Sequence, residues 1–352
     1  VTLLQDNPNP ALWLTALAPM QDVTDRAFMR LIARKGAPDF YVTEYLRVHV
    51  TSQPEAHILE AIDHNETGRP IVAQLLGEDI PHMVRTARAL EKHAIAGIDL
   101  NFGCPAPKVF RKNVGGGLLR DLPKLENIVA AMREAYTGKL TVKTRIGFAD
   151  TKDFDALLDI FARHRVDGVV VHARTVRELY RSQVHYEFIA QAVARLEGIP
   201  VIANGDITSV AKAAAVRVQT GCAGVMVGRS AIRNPWIFRQ LAEAAQGAEI
   251  YAPTLGDVRA YVHEMWEELT GGAHIPDGVR LGRLKKMLNF VGQSVDPQGE
   301  FLKKMRPTST PSEIFAVCET CLGGEHVRKR FVEEPYPGVV ARPNCETLLP
   351  DA

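Results

Sequence analysis

An α/β chain folded as a (β/α)8 TIM barrel with a C-terminal helical domain is what the sequence predicts, on three observations. Eight short, apolar, β-rich runs recur along the first two thirds of the chain. Amphipathic stretches separate them, several closed by a glycine where a helix would end. Nearly every apolar run also finishes, on its C-terminal side, in polar or chemically distinctive residues, and in this fold those ends meet on one face.

The runs, in order, are "LTALAPM" (14–20), "DFYVTEY" (39–45), "PIVAQLLG" (70–77), "GIDLNFG" (97–103), "KLTVKTRIG" (139–147), "DGVVVHAR" (167–174), "IPVIANGDI" (199–207) and "AGVMVGR" (223–229). Helical periodicity fills most of the gaps, as in "TDRAFMRLIARKG", "LPKLENIVAAMREAYTG" and "FDALLDIFARHRVDG". An open sheet seldom repeats this unit eight times with such regularity, so the closed barrel is preferred. Between the second and third runs, "SQPEAHILEAIDHNETGR" reads as a surface excursion, and the "GGG" at 115–117 as a mobile turn.

The run ends supply the candidate site: Pro19 and Met20, Glu44, Gln74, Asn101 to Cys104, Lys143 and Arg145, His172 and Arg174, Asn204 to Asp206, and Gly228 with Arg229. Turn propensity explains Asn204-Gly205-Asp206, but not a lysine and a histidine closing otherwise apolar strands. In barrels the loops after the last two strands commonly bind phosphate through backbone N–H groups and a short helix. Here those loops are "ANGDI" and "VGRSAI", where glycines permit close approach and Arg229 supplies charge. No G-x-G-x-x-G follows a strand, so a dedicated dinucleotide fold is not indicated.

Beyond the barrel, "DVRAYVHEMWEELTGG", "RLGRLKKMLNFVGQ" and "SEIFAVCETCLGG" show helical patterning. The expected organisation is a catalytic barrel over 1–245, a helical domain over 246–335 and an extended or disordered tail over 336–352. The Cys318-x-x-Cys321 pair has no second pair at metal-ligand spacing and reads as two positions on a helix face, so no metal site is expected.

Composition is that of an ordinary globular protein, with 46% hydrophobic and 24% charged residues and a net charge of +1. The near-neutral balance excludes general attraction to polyanions, and the region from 241 onward carries an excess of about four acidic groups. No run is long and apolar enough for a bilayer, and the first residues lack a secretory pattern, so no membrane partner is expected. Five scattered cysteines, Cys104, Cys222, Cys318, Cys321 and Cys345, fit a reducing compartment better than a disulfide framework, and a cytoplasmic monomer is the expectation. By residue type alone, Cys104 in its Gly-Cys-Pro turn is either a small apolar filler or a thiol aimed at something.

"APM", "QLLG", "DLNFGCP" with the "GGGLL" that follows, "VKTRIG", "VHART", "ANGDI" and "GRSAIRNPWIF" occur in an order and at spacings that resemble the tRNA-dihydrouridine synthases. The resemblance runs from about residue 14 to about 240, with an echo at "RLKKMLNF" (283–290) that is similar to that family's tRNA-binding helical domain. It implies an FMN-dependent enzyme that reduces the C5=C6 bond of a uridine in the tRNA D-loop. NADPH or NADH would act as a transient electron donor in the cleft that later receives the uridine.

By the same resemblance, hydride comes from flavin N5 and Cys104 donates the proton. Pro19 and Met20 pack on the flavin ring, and Gln74 bonds its polar edge. Lys143 sits near N1 and O2, and His172 near the phosphate. Asn204, Gly205, Asp206, Gly228 and Arg229 form the phosphate cradle, with Asp206 in a supporting place because a carboxylate repels phosphate. Asn101, Arg145 and Arg174 are candidates for holding the uracil and nearby RNA backbone, the alternative for each arginine being a tie to a strand-end carbonyl. The helical domain would present Arg283, Lys285, Lys286, Lys303 and Lys304 to RNA. A dihydroorotate-dehydrogenase-like flavin enzyme acting on a free pyrimidine shares the outline of the lysine and phosphate site and is the alternative function.

Overall fold

The computed structural model describes residues 13–268 and 275–341. Eight parallel strands close a barrel: β1 (Leu14–Leu17), β2 (Phe40–Val42), β4 (Ile71–Leu76), β5 (Gly97–Phe102), β6 (Leu140–Arg145), β7 (Gly168–His172), β8 (Val201–Asn204) and β9 (Gly224–Val227). A two-residue strand, β3 (Leu46–Arg47), adds to the outer end of β4. Closure comes from pairing of β1 with both β9 and β2, and of β2 with β4. At the β1–β9 seam only glycine fits: a Cβ on Gly224 would lie 2.2 Å from the Leu14 carbonyl oxygen.

Each strand is buried nearly throughout because one face meets the helical ring and the other the barrel interior. The interior is plugged by Ala16, Phe40, Val42, Val72, Val170, Ile202 and Met226. The ring comprises α1 (Arg26–Gly36), α2 (Ala56–Asp63), α3 (Ile80–Leu90), α5 (Leu122–Ala135), α6 (Phe154–Arg163), α7 (Tyr186–Arg195) and α8 (Val210–Thr220), with α9 (Arg229–Arg233) and α10 (Ile237–Ala245) after the last strand. A short helix, α4 (Pro107–Phe110), follows β5. Caps set the helix starts: Asp25 accepts from the Phe28 N–H and Ser209 from the Lys212 N–H, satisfying donors that a helix leaves open. Gly221, at φ +68°, ends α8 in the left-handed conformation that glycine adopts without strain.

Two sequence expectations need correcting. The segment read as a surface excursion contains α2, whose Ile58, Ala61 and Ile62 are buried against the barrel; eight residues are too few to show a clear period. The three glycines read as a mobile turn open a buried 3-10 helix, Gly115–Arg120, and are packed so closely that side chains would not fit.

The C-terminal helices are α11 (Leu255–Glu268), α12 (Asp277–Val291), α13 (Glu300–Met305) and α14 (Pro311–Leu322). They pack on one flank of the barrel, α11 against α1 and α12 against α9. Lys35 pairs with Glu264 and Arg34 with Glu268 across the first of these contacts. Cys318 is buried in α14 and Cys321 is partly buried one turn on. Among the described residues no helix is long and apolar enough to cross a membrane.

After α14 the chain returns toward the barrel as a strap. Phe331 donates to the Pro253 carbonyl, the Glu333 and Glu334 carboxylates accept from the Val210 N–H and the Ser209 hydroxyl at the start of α8, and Arg233 donates to the Glu333 carbonyl. The N–H of Tyr336 then bonds Gln293, whose side chain donates to Val339. The remainder of the expected tail, 342–352 with Cys345, lies outside the described residues.

Candidate functional site

The barrel register places the candidate residues side by side at the C-terminal mouth. Asn101 is the rung partner of Lys143, Arg145 of His172, and His172 of Asn204. Alternation along β6 sends Lys143 and Arg145 to the same face of the strand.

A cavity of about 110 Å³ opens at this mouth, lined by Pro19, Met20, Lys143, His172, Arg174, Asn204, Gly205, Asp206, Gly228 and Arg229 among others. Lys143 donates to the Asn204 side chain at 3.0 Å, and Asn204 is held in turn by donating to the Met226 carbonyl. Burial in the mouth lowers Lys143 to about 8, the Arg145 charge pushing the same way and Asp99 opposing it. Burial also lowers His172 well below its usual value, with Arg145, Lys143, Arg174 and Arg229 adding to the effect. His172 is therefore neutral at physiological pH, able to donate from one ring nitrogen and accept at the other.

In the loop after β8, Gly205 (φ +120°) and Asp206 (φ +44°) both take left-handed backbone, which a glycine adopts freely and an aspartate does not. Asp206 stays there because Arg174 grips it at 3.2 Å and Arg229 approaches at 3.4 Å. Burial would raise the Asp206 carboxyl, but those two arginines outweigh it and hold it below the ordinary range. A Cβ on Gly228 would meet only Ala18 and Met20 Sδ, at 3.5 and 3.6 Å. Cations, a neutral imidazole and glycine backbone at the last two loops are the donor set that a phosphate monoester requires. The residues present thus fit the phosphate end of FMN.

Several sequence candidates stand apart from the lining of this cavity, among them Glu44, whose carboxylate accepts from the Val23 N–H. Gln74, buried, donates to Asp99 and accepts from Asn101. Asn101 accepts from the N–H groups of Gly103 and Cys104, which fixes the Gly-Cys-Pro turn. Arg145 lies fully buried, donating to the carbonyls of Gly103, Thr175 and Leu179. Its contacts are those of a strut that joins the cysteine turn to the loop after β7. Cys104 is partly buried against Tyr45, Leu76 and Val109. Burial raises its thiol, while a backbone hydrogen bond and the charges of Arg145, Lys143 and Arg47 pull the other way. The glycine run is its back wall: a Cβ on Gly116 would fall 2.9 Å from the Cys104 carbonyl oxygen, and one on Gly115 3.1 Å from the Cys104 Cβ.

Sequence reasoning missed Tyr180, in the loop after β7. Its ring lies under Arg229 at 4.4 Å and beside Arg145 at 5.3 Å, and it lines both the first cavity and a second. A lone tyrosine in an unperiodic loop gives no signal except its position at a barrel's C-terminal face. The second cavity, about 470 Å³, lies between the loops after β8 and β9 and the C-terminal helices, with Lys212, Arg229, Arg233, Phe290, Gln293 and Glu334 in its wall. Of the basic residues expected to face RNA, Lys285 is turned to the carbonyls of Arg306 and Thr308, Lys286 to that of Asp22, and Lys303 to Glu300. Among the described residues no His, Cys, Asp or Glu cluster could hold a metal ion.

Comparison with known proteins bears directly on this arrangement. The family model described as dihydrouridine synthase matches residues 16–319. A tRNA-dihydrouridine(16) synthase of Neisseria meningitidis is 31% identical over 307 residues, covering 85% of this chain and 91% of the relative. A tRNA-dihydrouridine(16) synthase of Cupriavidus necator is 32% identical over 315 residues, covering 86% and 95%. A tRNA-dihydrouridine synthase B of Xanthomonas axonopodis is 33% identical over 303 residues, covering 86% and 90%.

Proposed function

The chain belongs to the dihydrouridine synthase family, and on that footing we propose that it reduces the C5=C6 bond of a D-loop uridine in tRNA, using FMN and NADPH or NADH. The observation that carries the reading is the place of Lys143. It donates to Asn204 on the phosphate side of the mouth and is the rung partner of Asn101, which holds the Cys104 turn on the other. That chain of contacts links the lysine offered to the cofactor with the turn that carries the proposed proton donor, and it supports the reading.

FMN, when bound, supplies the hydride for C6. Pro19 and Met20 form an apolar wall for its ring, Lys143 offers positive charge to its polar edge, and Arg229 with the loops at Gly205 and Gly228 holds its phosphate. Cys104 supplies the proton at C5. Burial keeps the thiol protonated at neutral pH, and Arg145, Lys143 and Arg47 stabilise the thiolate left behind. Gln74 and Asn101 each retain one amide N–H for cofactor or uracil, since each spends only one on the network around Asp99. The target base must leave its stack to reach this mouth, which suits a loop nucleotide of a folded RNA.

The test is reoxidation of the prereduced protein. Unmodified tRNA should reoxidise it with formation of dihydrouridine, and orotate or free uridine should not; reoxidation by the free pyrimidine alone would turn the assignment to the dihydroorotate-dehydrogenase type.

Two further outcomes follow from the phosphate side and from Lys143. Arg229→Ala should weaken FMN binding by about 1.5–3 kcal/mol, the worth of a charge-assisted hydrogen bond, or roughly ten- to a hundredfold; titration of apoprotein measures it. Lys143, lowered to about 8 by burial, should be driven back toward its charged form by an anion. The complex then binds more protons than free protein, so FMN affinity should fall as pH rises through about 8. Titrations from pH 7 to 9 should show that slope, and Lys143→Met should flatten it.

A further inference from the structure

We propose that Asp99 is a positioning residue for Cys104, acting through the side-chain amides of Gln74 and Asn101. The inference rests on Cys104 being the group that matters at the mouth, and it adds what sets that group in place.

Asp99, Gln74 and Thr141 occupy one rung of the barrel, Gln74 facing Asp99 across β4–β5 and Asp99 facing Thr141 across β5–β6. All three are buried, Asp99 at 2% exposure and Gln74 at 0%. A carboxylate there is costly unless its oxygens are used. Both are: Thr141 donates to Oδ1 and the Gln74 amide nitrogen to Oδ2, each at 2.7 Å. Burial pushes the Asp99 carboxyl up to about 6, which leaves it ionised at neutral pH.

What the carboxylate contributes is direction. A side-chain amide has a donor end and an acceptor end of nearly the same shape, and only its partners decide which way it turns. An ionised carboxylate accepts and never donates, so Gln74 must show it nitrogen. The Gln74 oxygen is then left to face Asn101, whose nitrogen donates to it at 2.8 Å. The Asn101 oxygen accordingly points at the turn and accepts from Gly103 N at 3.1 Å and Cys104 N at 2.9 Å. One acceptor-only group in the barrel interior thus orients two amides and the backbone of the catalytic turn. With an amide in place of the Asp99 carboxylate, either end can be offered, Gln74 can turn, and Asn101 can present nitrogen to two N–H donors.

The experiment reads the accessibility of the Cys104 thiol in apoprotein, by alkylation resolved residue by residue in mass spectrometry and normalised to Cys321. Asp99→Asn should raise the Cys104 rate by about tenfold, as local opening of a held turn does, with the circular dichroism spectrum unchanged. Adding Gln74→Glu should restore the slow rate, because the carboxylate then accepts both from the amide introduced by Asp99→Asn and from Asn101. An unchanged rate in Asp99→Asn, or no restoration in a folded Asp99→Asn/Gln74→Glu protein, overturns the proposal. So does an Asp99→Asn/Lys143→Met protein that labels like Lys143→Met alone, since Asp99 would then only balance the lysine. The rate is read without turnover. A relay that responds and reverts, in a protein whose Cys104→Ala variant still reduces uridine, stands on its own while the proton-donor assignment falls.

Discussion

Cys104→Ala is expected to slow reduction of tRNA uridine by about 10²- to 10⁴-fold, the usual contribution of a positioned general acid, while leaving the yellow colour and flavin reduction by NADPH intact. The separation follows from where the residue sits. Cys104 packs with Tyr45, Leu76 and Val109 on the β4–β5 side of the mouth, whereas Lys143, His172 and Arg229 line the cavity proposed to take the cofactor. Cys104→Ser should fall nearly as far, because a hydroxyl of much higher pKa is a poorer donor at the same distance. Single-turnover reoxidation of prereduced protein by unmodified tRNA, set beside flavin reduction in the same variants, decides it. If both half-reactions slow together, the residue serves placement of the cofactor. If neither slows, it is a packing group and another residue protonates C5.

Arg145→Leu is expected to destabilise the fold by about 3–5 kcal/mol, as breaking a buried charged network does. The guanidinium is 1% exposed and answers three main-chain carbonyls drawn from two loops. Leucine fills most of the volume but leaves those oxygens buried without donors, each costing about 1–3 kcal/mol if it stays unsatisfied. Denaturant titration gives the loss, seen as a lower midpoint at unchanged slope. A variant as stable as the parent but with weakened tRNA binding would return Arg145 to the role of an RNA contact.

The two cations of β6 show how far the sequence could be read. Strand period and the polar residue closing each run are local signals, and the Lys143, His172, Asn204 and Arg229 they single out line one cavity. They cannot rank two cations of equal parity on one strand. What separates Lys143 from Arg145 is the set of carbonyls at Gly103, Thr175 and Leu179, which the fold brings in from elsewhere. The glycine run misled for a related reason. Composition reports the freedom of the unfolded chain, whereas at Gly116 and Gly117 the absence of a side chain serves contact, with Val176 and the Phe110 carbonyl each 2.6 Å from where a Cβ would stand. Asp99 and Tyr180 stayed hidden because a single aspartate in an apolar strand and a single tyrosine in a loop have no period to betray them.

The strap that returns from the helical domain has a consequence for the order of events on the ribosome. Ser209 and Glu334 are 125 residues apart in the chain, yet their hydrogen bond braces the start of α8 beside the loop after β8. Synthesis runs from the N-terminus, so every strand of the barrel has emerged before Glu333 and Glu334 exist. A nascent barrel therefore holds the loop after β8, proposed to take the phosphate, without the braces from Glu333 and Glu334. Firm capture of the proposed cofactor should therefore wait until residues 333 and 334 are in place, and an arrested chain ending before residue 333 should retain flavin poorly even with its barrel complete.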